Sequence, residues 1–206
     1  MFKAIIIGGT GATGKRLLDQ LIKNQNCDLV TSIGRRSVLD GKKHDKLVDI
    51  VVESLFKMSS TEKYWKDNDV FFNCIGTTRQ RAGGAKEFIA IESGISNEAA
   101  KMAANAQIPH ASLISAEGAN HKIWAKDWIH PLLYMRTIGQ KEQTIISDHS
   151  FDSVSIFKPG MLIRLQSERT WFEKFSELRG SGLRVDTLAS AMIHDAERVK
   201  LGRVEK

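Results

Sequence analysis

Blocks of apolar and polar residues alternate along the chain in a way that predicts strands and helices in turn. Short runs of β-forming apolar residues predict buried strands, and longer segments with apolar residues three and four positions apart predict helices. The predicted strands are Lys3–Ile7, Asp28–Ile33, a weaker Leu47–Val51, Val70–Cys74, Pro109–Ile114 and Ser153–Phe157. The predicted helices are Thr13–Lys23, Glu87–Ala106, Leu132–Ile146, Ser167–Leu178 and Val185–Val199.

Strands that alternate with helices are typical of a parallel sheet with helices on both faces. The sequence therefore predicts an α/β fold, a Rossmann-type doubly wound parallel sheet. We expect a single domain over residues 1–206, with a core of about 1–165 and a short C-terminal helical extension over 166–206. No internal repeat, low-complexity tract or linker indicates a second domain.

Composition excludes several classes of protein. Of the 206 residues, 42% are hydrophobic and 26% are charged, which is ordinary for a globular chain. No apolar run approaches the ~20 residues that span a bilayer, so no transmembrane segment is expected. The net charge is +6, but the basic residues are spread out, which argues against a nucleic-acid partner. Cys27 and Cys74 have no second Cys or His at ligand spacing, so no disulfide framework and no metal site are expected.

A glycine-rich segment follows the first predicted strand directly and opens the first predicted helix. Residues 8–14 read Gly-Gly-Thr-Gly-Ala-Thr-Gly. Such glycines permit a tight turn, close approach of backbone to a pyrophosphate and close helix–strand packing, and the helix N-terminus attracts phosphate. A glycine-rich turn without a ligand is the alternative. The context favours a dinucleotide site formed by Gly8, Thr10, Gly11, Ala12, Thr13 and Gly14.

Two arginines end the second predicted strand. An NAD site usually has Asp or Glu about twenty residues beyond the glycines, on the ribose hydroxyls. Here the strand runs into Arg35 and Arg36. A guanidinium has the charge and fork geometry for a 2′-phosphate, whereas a solvated basic turn is the alternative. The pair predicts that NADPH is preferred to NADH.

In these motifs the chain resembles the atypical short-chain dehydrogenase/reductases of the Tat-interacting oxidoreductase type, the group of HIV Tat-interactive protein 2 and its fungal mitochondrial relatives. The resemblance covers about residues 3–165 well and the C-terminal part weakly. It is carried by the glycine segment, Ile33–Arg36, Cys74–Arg79, Leu113–Ala119, Tyr134 and Phe157–Gly160.

The resemblance implies NADPH (NADP) binding at the carboxyl ends of the strands. It places the segment after the fourth strand under the cofactor ribose and adenine side, and the segment after the last strand near the nicotinamide. The residues it adds to the cofactor site are Cys74, Ile75, Gly76, Thr77, Lys158, Pro159 and Gly160.

The resemblance also implies a catalytic Tyr and Lys four residues apart on one helix face, with a Ser that polarises the substrate carbonyl. Tyr134 and Ser115 are the candidates. Ile138 stands where the Lys is expected, and Lys141 lies two helical turns from Tyr134, too far along the axis to substitute without a helix shift. Ala116 follows Ser115 where relatives tend to have a second Ser, which puts the polarising group in doubt as well.

Two hypotheses of different classes follow. The first is an NADPH-binding reductase-like protein with a degenerate catalytic site, an accessory or regulatory subunit of a larger complex with protein partners. The alternative is an active NADPH-dependent oxidoreductase on an unknown carbonyl substrate. The run Ala4–Ile7 is too short for a signal-peptide core, and Met1–Lys3 leads straight into a strand. We therefore expect a cytoplasmic or mitochondrial protein that is not secreted.

Overall fold

Six parallel strands form the central sheet of the computed structural model, which describes residues 1–40, 42–126, 129–164 and 182–202. They are β1 (Phe2–Ile7), β2 (Cys27–Gly34), β3 (Leu47–Val51), β4 (Val70–Asn73), β5 (His110–Ile114) and β6 (Ser153–Phe157). Their order in the sheet is β3-β2-β1-β4-β5-β6. The chain thus begins in the middle of the sheet, builds one half, and crosses back over β1 to build the other. This confirms the predicted doubly wound α/β fold.

The innermost strands are apolar on both faces because helices cover both. In β1, Ile5 to Ile7 are fully buried, and all four residues of β4 are buried beside them. β1 pairs with β2 on one side and with β4 on the other, with Ile7 opposite Ile33 and Asn73. The continuous apolar runs that predicted buried strands therefore correspond to the centre of the sheet.

Six α-helices lie in the described residues. They are α1 (Ala12–Lys23), α2 (Arg79–Ala82), α3 (Ala85–Ile89), α4 (Ser96–Asn105), α5 (His130–Ser147) and α6 (Val185–Lys200). A 3-10 helix covers Ser59–Tyr64 and a π-helix covers Ala90–Ile95. Two short strands, β7 (Leu162–Ile163) and β8 (Leu183–Arg184), pair in a separate small sheet.

The segment predicted as one helix, Glu87–Ala106, is interrupted. It divides into α3, the π-helix and α4, because the backbone passes from i→i+4 to i→i+5 hydrogen bonds over Ala90–Ile95. The apolar repeat does not reveal the interruption because the π-helix covers only six residues. The predicted helix Ser167–Leu178 lies outside the described residues.

The C-terminal helix α6 packs on the same face of the sheet as α1. Leu188 and Met192 belong to one buried cluster with Leu18 and Leu21. The side chain of Gln20 donates to the Asp186 carbonyl at 3.0 Å, so polar contacts join the two helices as well. The helix predicted over Val185–Val199 is therefore part of the core layer, although it belongs to the segment expected as an extension.

The opposite face of the sheet is covered by α4, α5 and the segment around the 3-10 helix. Trp65, Phe71 and Met58 are fully buried in this second cluster, and the Trp65 and Phe71 rings lie 5.6 Å apart. In the part of the chain that the structure describes, no helix has the length and hydropathy to cross a bilayer.

Candidate cofactor and active site

A cleft of about 650 Å3 opens at the carboxyl ends of the strands, at the point where the sheet order reverses between β1 and β4. This is where open α/β sheets bind ligands. The predicted residues that line it are Gly8, Thr10, Gly11, Ala12, Thr13, Arg35, Arg36, Cys74, Ile75, Gly76, Thr77, Ser115 and Tyr134. Gly14 is buried under the glycine loop, and Lys158, Pro159 and Gly160 follow β6 without lining the cleft wall. Leu162 and Arg164, a few residues further on, line it instead.

The glycine loop turns tightly from β1 into α1. Gly8 has a φ of +80°, and its carbonyl accepts the Gly11 N–H at 2.9 Å. Gly11 is the N-cap residue of α1, and no side chain caps this helix end. The first amides of α1 are thus left for a ligand, as in dinucleotide-binding loops.

The turn that contains Arg35 and Arg36 is fixed by an acid on the neighbouring strand. The Ser37 hydroxyl and the Val38 N–H both donate to Oδ2 of Asp49, at 2.7 and 3.0 Å. Arg35 and Arg36 themselves are exposed and lie on the cleft wall. The Asp49 carboxylate is engaged in ordering this turn, and Arg35 and Arg36 share the cleft wall with Glu53.

The segment after β4 is tied to two buried charged side chains. The Thr77 N–H donates to Glu92 Oε1 at 2.5 Å, and the Lys141 ammonium donates to the Ile75 carbonyl at 2.7 Å. Lys141 Nζ and Glu92 Oε2 form an ion pair at 3.3 Å. The sequence predicts that Lys141 lies too far along α5 to replace the lysine expected beside Tyr134. The structure places Lys141 in the wall of the same cleft.

Tyr134 projects from α5 into the cleft and packs against Phe88, with ring centroids 5.9 Å apart and planes at 26°. Burial raises the pKa of the Tyr134 phenol, and the Glu92 carboxylate raises it further, while the Arg164 guanidinium acts in the opposite direction. Ile138, one turn along α5, is buried and also lines the cleft. The position where the resemblance implies a lysine is therefore apolar, and Tyr134 is held neutral.

Ser115 follows β5 and is buried at the cleft. Its hydroxyl donates to Glu142 Oε1, and the Lys158 ammonium donates to Glu142 Oε2 at 2.8 Å. The hydroxyl proton that would polarise a carbonyl is therefore engaged with a carboxylate. The side chain of Lys158, whose segment is predicted to lie near the nicotinamide, contacts this carboxylate.

Several charged residues at the site were not predicted, among them Glu53, Arg81, Glu92, Glu142 and Arg164. Glu92 and Glu142 occupy inward positions of helical segments, and Arg164 follows β7. The sequence signal that could have indicated Glu92 is a charged residue between the apolar residues Phe88 and Ile95. Both of these residues are buried in the structure. Nothing in the local sequence distinguishes Arg164 from a surface arginine.

The two cysteines are buried and free. Burial raises the pKa of the Cys74 thiol to about 12, with the Lys141 ammonium opposing the shift, and that of Cys27 to about 11. Neither is a thiolate at neutral pH. Within the described residues, no cluster of His, Cys, Asp and Glu is arranged to hold a metal ion.

Comparison with known proteins identifies the family of the chain. No family model matches the chain. It is 34% identical over 168 residues to protein FMP52-1, mitochondrial, of Scheffersomyces stipitis, an alignment that covers 78% of this chain and 67% of the relative. It is 28% identical over 210 residues to protein HTATIP2 of Rattus norvegicus, which covers 97% of this chain and 83% of that protein. The chain belongs to the atypical short-chain dehydrogenase/reductases of the HTATIP2 and FMP52 type.

The matched segment spans about two thirds of the length of fungal members of the HTATIP2 and FMP52 type. Solved structures share the fold. Gre2 from Candida albicans in complex with NADPH superposes with a TM-score of 0.67 at 15% identity, covering 94% of this chain and 73% of Gre2. At this identity the likeness establishes the Rossmann-type α/β fold and no more.

Proposed function

We propose that the protein binds NADPH in preference to NADH, with the pyrophosphate on the glycine loop and the 2′-phosphate on Arg35 and Arg36. The observation that carries the proposal is the position of these arginines. They stand on the wall of the cleft at the end of β2, where an NAD-specific site has an acid. Gly76 and Thr77 form the neighbouring wall, beneath the ribose and adenine side of the cofactor.

We propose further that the catalytic site is degenerate. A Tyr acid/base needs a nearby cation that lowers the pKa of its phenol, and the residue one turn from Tyr134 is Ile138. The pKa of Tyr134 is raised instead. Ser115 adds to the defect because its hydroxyl is bonded to Glu142.

A protein of this kind acts as an accessory or regulatory subunit whose bound NADPH stabilises the fold or reports the redox state to protein partners. The names of its fungal relatives place those proteins in mitochondria. We propose the mitochondrion or the cytoplasm as the location of this chain, with a mitochondrial complex as the partner.

The test has two measurements on the purified protein. Isothermal titration calorimetry gives the affinities for NADPH and NADH, and consumption of NADPH over a panel of aldehydes and ketones gives turnover. We expect tight NADPH binding, weaker NADH binding and negligible turnover. Equal affinities would overturn the cofactor assignment.

The alternative is an active oxidoreductase on an unknown carbonyl substrate, with Tyr134 as acid/base and Ser115 as polarising group. The specific observation in its favour is that Tyr134, Ser115 and Lys141 line one cleft. Ordinary turnover that disappears in Tyr134→Phe would establish this alternative.

A further inference from the structure

Lys141 on α5 and Glu92 on the π-helix form an ion pair under the wall of the cleft. Their side chains are only 1% and 2% exposed. Beyond the ion pair, each binds the backbone of the same short segment. Lys141 donates to the carbonyl of Ile75, and Glu92 accepts the N–H of Thr77. The two charges therefore hold the backbone on both sides of Gly76.

Burial of this pair is poorly explained by stability. Both ions lose their hydration, and well-packed apolar residues in place of a buried pair are often as stable or more so. The cleft side of the pair offers a different explanation. Ile75, Gly76 and Thr77 line the cleft, and Gly76 is exposed to it. A backbone segment that must contact a ligand at close range binds better when it is already fixed.

The π-helix contributes to this arrangement. Its i→i+5 bonds span Ala90–Ile95, so Glu92 sits within the widened turn that separates α3 from α4. Glu92 is 1% exposed and reaches Thr77, fifteen residues earlier in the chain. Lys141 reaches Ile75, which is 66 residues earlier in the chain, from α5. Two separate elements thus converge on one three-residue segment.

We propose that Lys141 and Glu92 are positioning residues that fix the segment Ile75–Thr77 in its cofactor-binding conformation. The inference rests on the proposed NADPH binding and extends it to two residues that do not touch the reacting atoms. In this arrangement Lys141 acts on the segment Ile75–Thr77 and not on Tyr134. The cation that is missing at Ile138 is thus present seven residues from Tyr134, in a different role.

The decisive variant is the double substitution Lys141→Met with Glu92→Met, which removes both charges and leaves neither unpaired. We expect it to fold with a melting temperature near that of the wild type. NADPH affinity measured by calorimetry should fall about tenfold or more, because the segment must be ordered when the cofactor binds. Hydrogen exchange of the unliganded protein should show faster exchange over residues 75–77. Lys141→Arg, which keeps the charge and a donor, should retain most of the affinity.

The matched control is Lys200→Met. Lys200 forms an ion pair with Asp69 at 2.7 Å at the opposite end of the sheet, so the change removes a Lys–Asp contact outside the cleft. We expect NADPH affinity to be unchanged in this variant. Single Glu92→Gln provides a second probe, since it keeps an oxygen for the Thr77 N–H and leaves the Lys141 ammonium uncompensated.

The outcomes separate the two proposals. A wild type that fails to bind NADPH overturns the proposed function whatever the variants do. A wild type that binds, with a folded double variant of equal affinity and equal exchange at 75–77, overturns the positioning role alone. A double variant that does not fold also overturns it, because the pair would then be required for folding.

Discussion

The carbonyl oxygen of Cys74 lies so close to Gly8 that a Cβ on Gly8 would come within 2.5 Å of it. Gly8 also has a φ of +80°, which L side chains rarely adopt. The ends of β1 and β4 meet at this point, so the glycine loop and the segment after Cys74 form adjoining walls of the cleft. Gly8, Gly11 and Gly14 of this loop differ in what a side chain would do at each.

Gly11 provides the test of phosphate binding. Its φ of −74° suits any residue, and the nearest atom to an added Cβ is the Gly8 carbonyl oxygen at 3.1 Å. Because the Gly8 carbonyl must shift slightly to admit this Cβ, Gly11→Val should fold with a modestly lowered melting temperature. It should lose NADPH binding because the side chain fills the space of the pyrophosphate. Calorimetry and thermal denaturation check both statements. Gly14→Ala is the contrasting variant, because its Cβ would overlap the Gly8 carbonyl and should destabilise the fold. A folded Gly11→Val protein with unchanged affinity would show that the loop does not bind phosphate.

The arginines at the end of β2 determine the preferred cofactor in our proposal. Arg35→Ala or Arg36→Ala should weaken NADPH by about 10- to 100-fold, as expected for the loss of a charge-assisted contact, and should change NADH little. Affinities for both cofactors in each variant give the answer. Arg16→Ala is the matched control, since Arg16 lies on α1 away from the cleft and pairs with Asp19 at 3.9 Å. Parallel losses of NADPH and NADH affinity would contradict a 2′-phosphate site.

The sequence predicts the central sheet well for a physical reason. Strands buried on both faces are mostly apolar, as over Ala4–Ile7 in β1 and Val70–Phe72 in β4, and the glycine loop follows the first of them. These features are local, so they can be recognised without coordinates. The strand bounds predicted over Leu47–Val51 and Ser153–Phe157 agree with the structure.

The contacts inside the site are not local, and for this reason they were not predicted. Glu92 and Lys141 are 49 residues apart, and their pairing depends on how the π-helix and α5 pack on the sheet. The bond from Ser115 to Glu142 spans 27 residues. A single sequence gives residue types along each element but not the relative rotation of two elements, which is what brings these charges together.

His110, at the start of β5, should make stability depend on pH. It is 2% exposed, and its Nε2 lies 3.0 Å from the Ser155 hydroxyl. Burial lowers the pKa of His110 below its ordinary value of 6.5, although the nearby Asp195 carboxylate opposes the shift. The unfolded chain therefore takes up a proton at a higher pH than the folded protein does. The stabilisation is complete above about pH 6.5 and is lost as the pH falls through the pKa of the folded state, by at most about 1.4 kcal/mol per pH unit.

His110→Gln isolates this effect, because Gln keeps a partner for Ser155 and does not titrate. We expect the free energy of unfolding, from urea titrations at pH 8, 7, 6 and 5, to fall less steeply in the variant than in the wild type. His149 also has a lowered pKa and is present in both proteins, so it cancels in the comparison. Identical slopes would mean that His110 is not buried in its neutral form.

Tyr134 is the centre of the last prediction, which decides between a degenerate and an active site. Burial and Glu92 raise the pKa of its phenol, so the wild type should oxidise NADPH over a carbonyl panel no faster than Tyr134→Phe does. Ile138→Lys places an ammonium one helical turn from Tyr134 in the same cleft and should lower that pKa. Turnover in this variant should rise by about tenfold or more, and the rise should disappear when Tyr134→Phe is added. Ile138→Met, an apolar change of similar length, should give no gain. If the wild type already turns over at ordinary rates and loses this activity in Tyr134→Phe, the cation acting on Tyr134 must come from elsewhere in the cleft, and the protein is an active oxidoreductase.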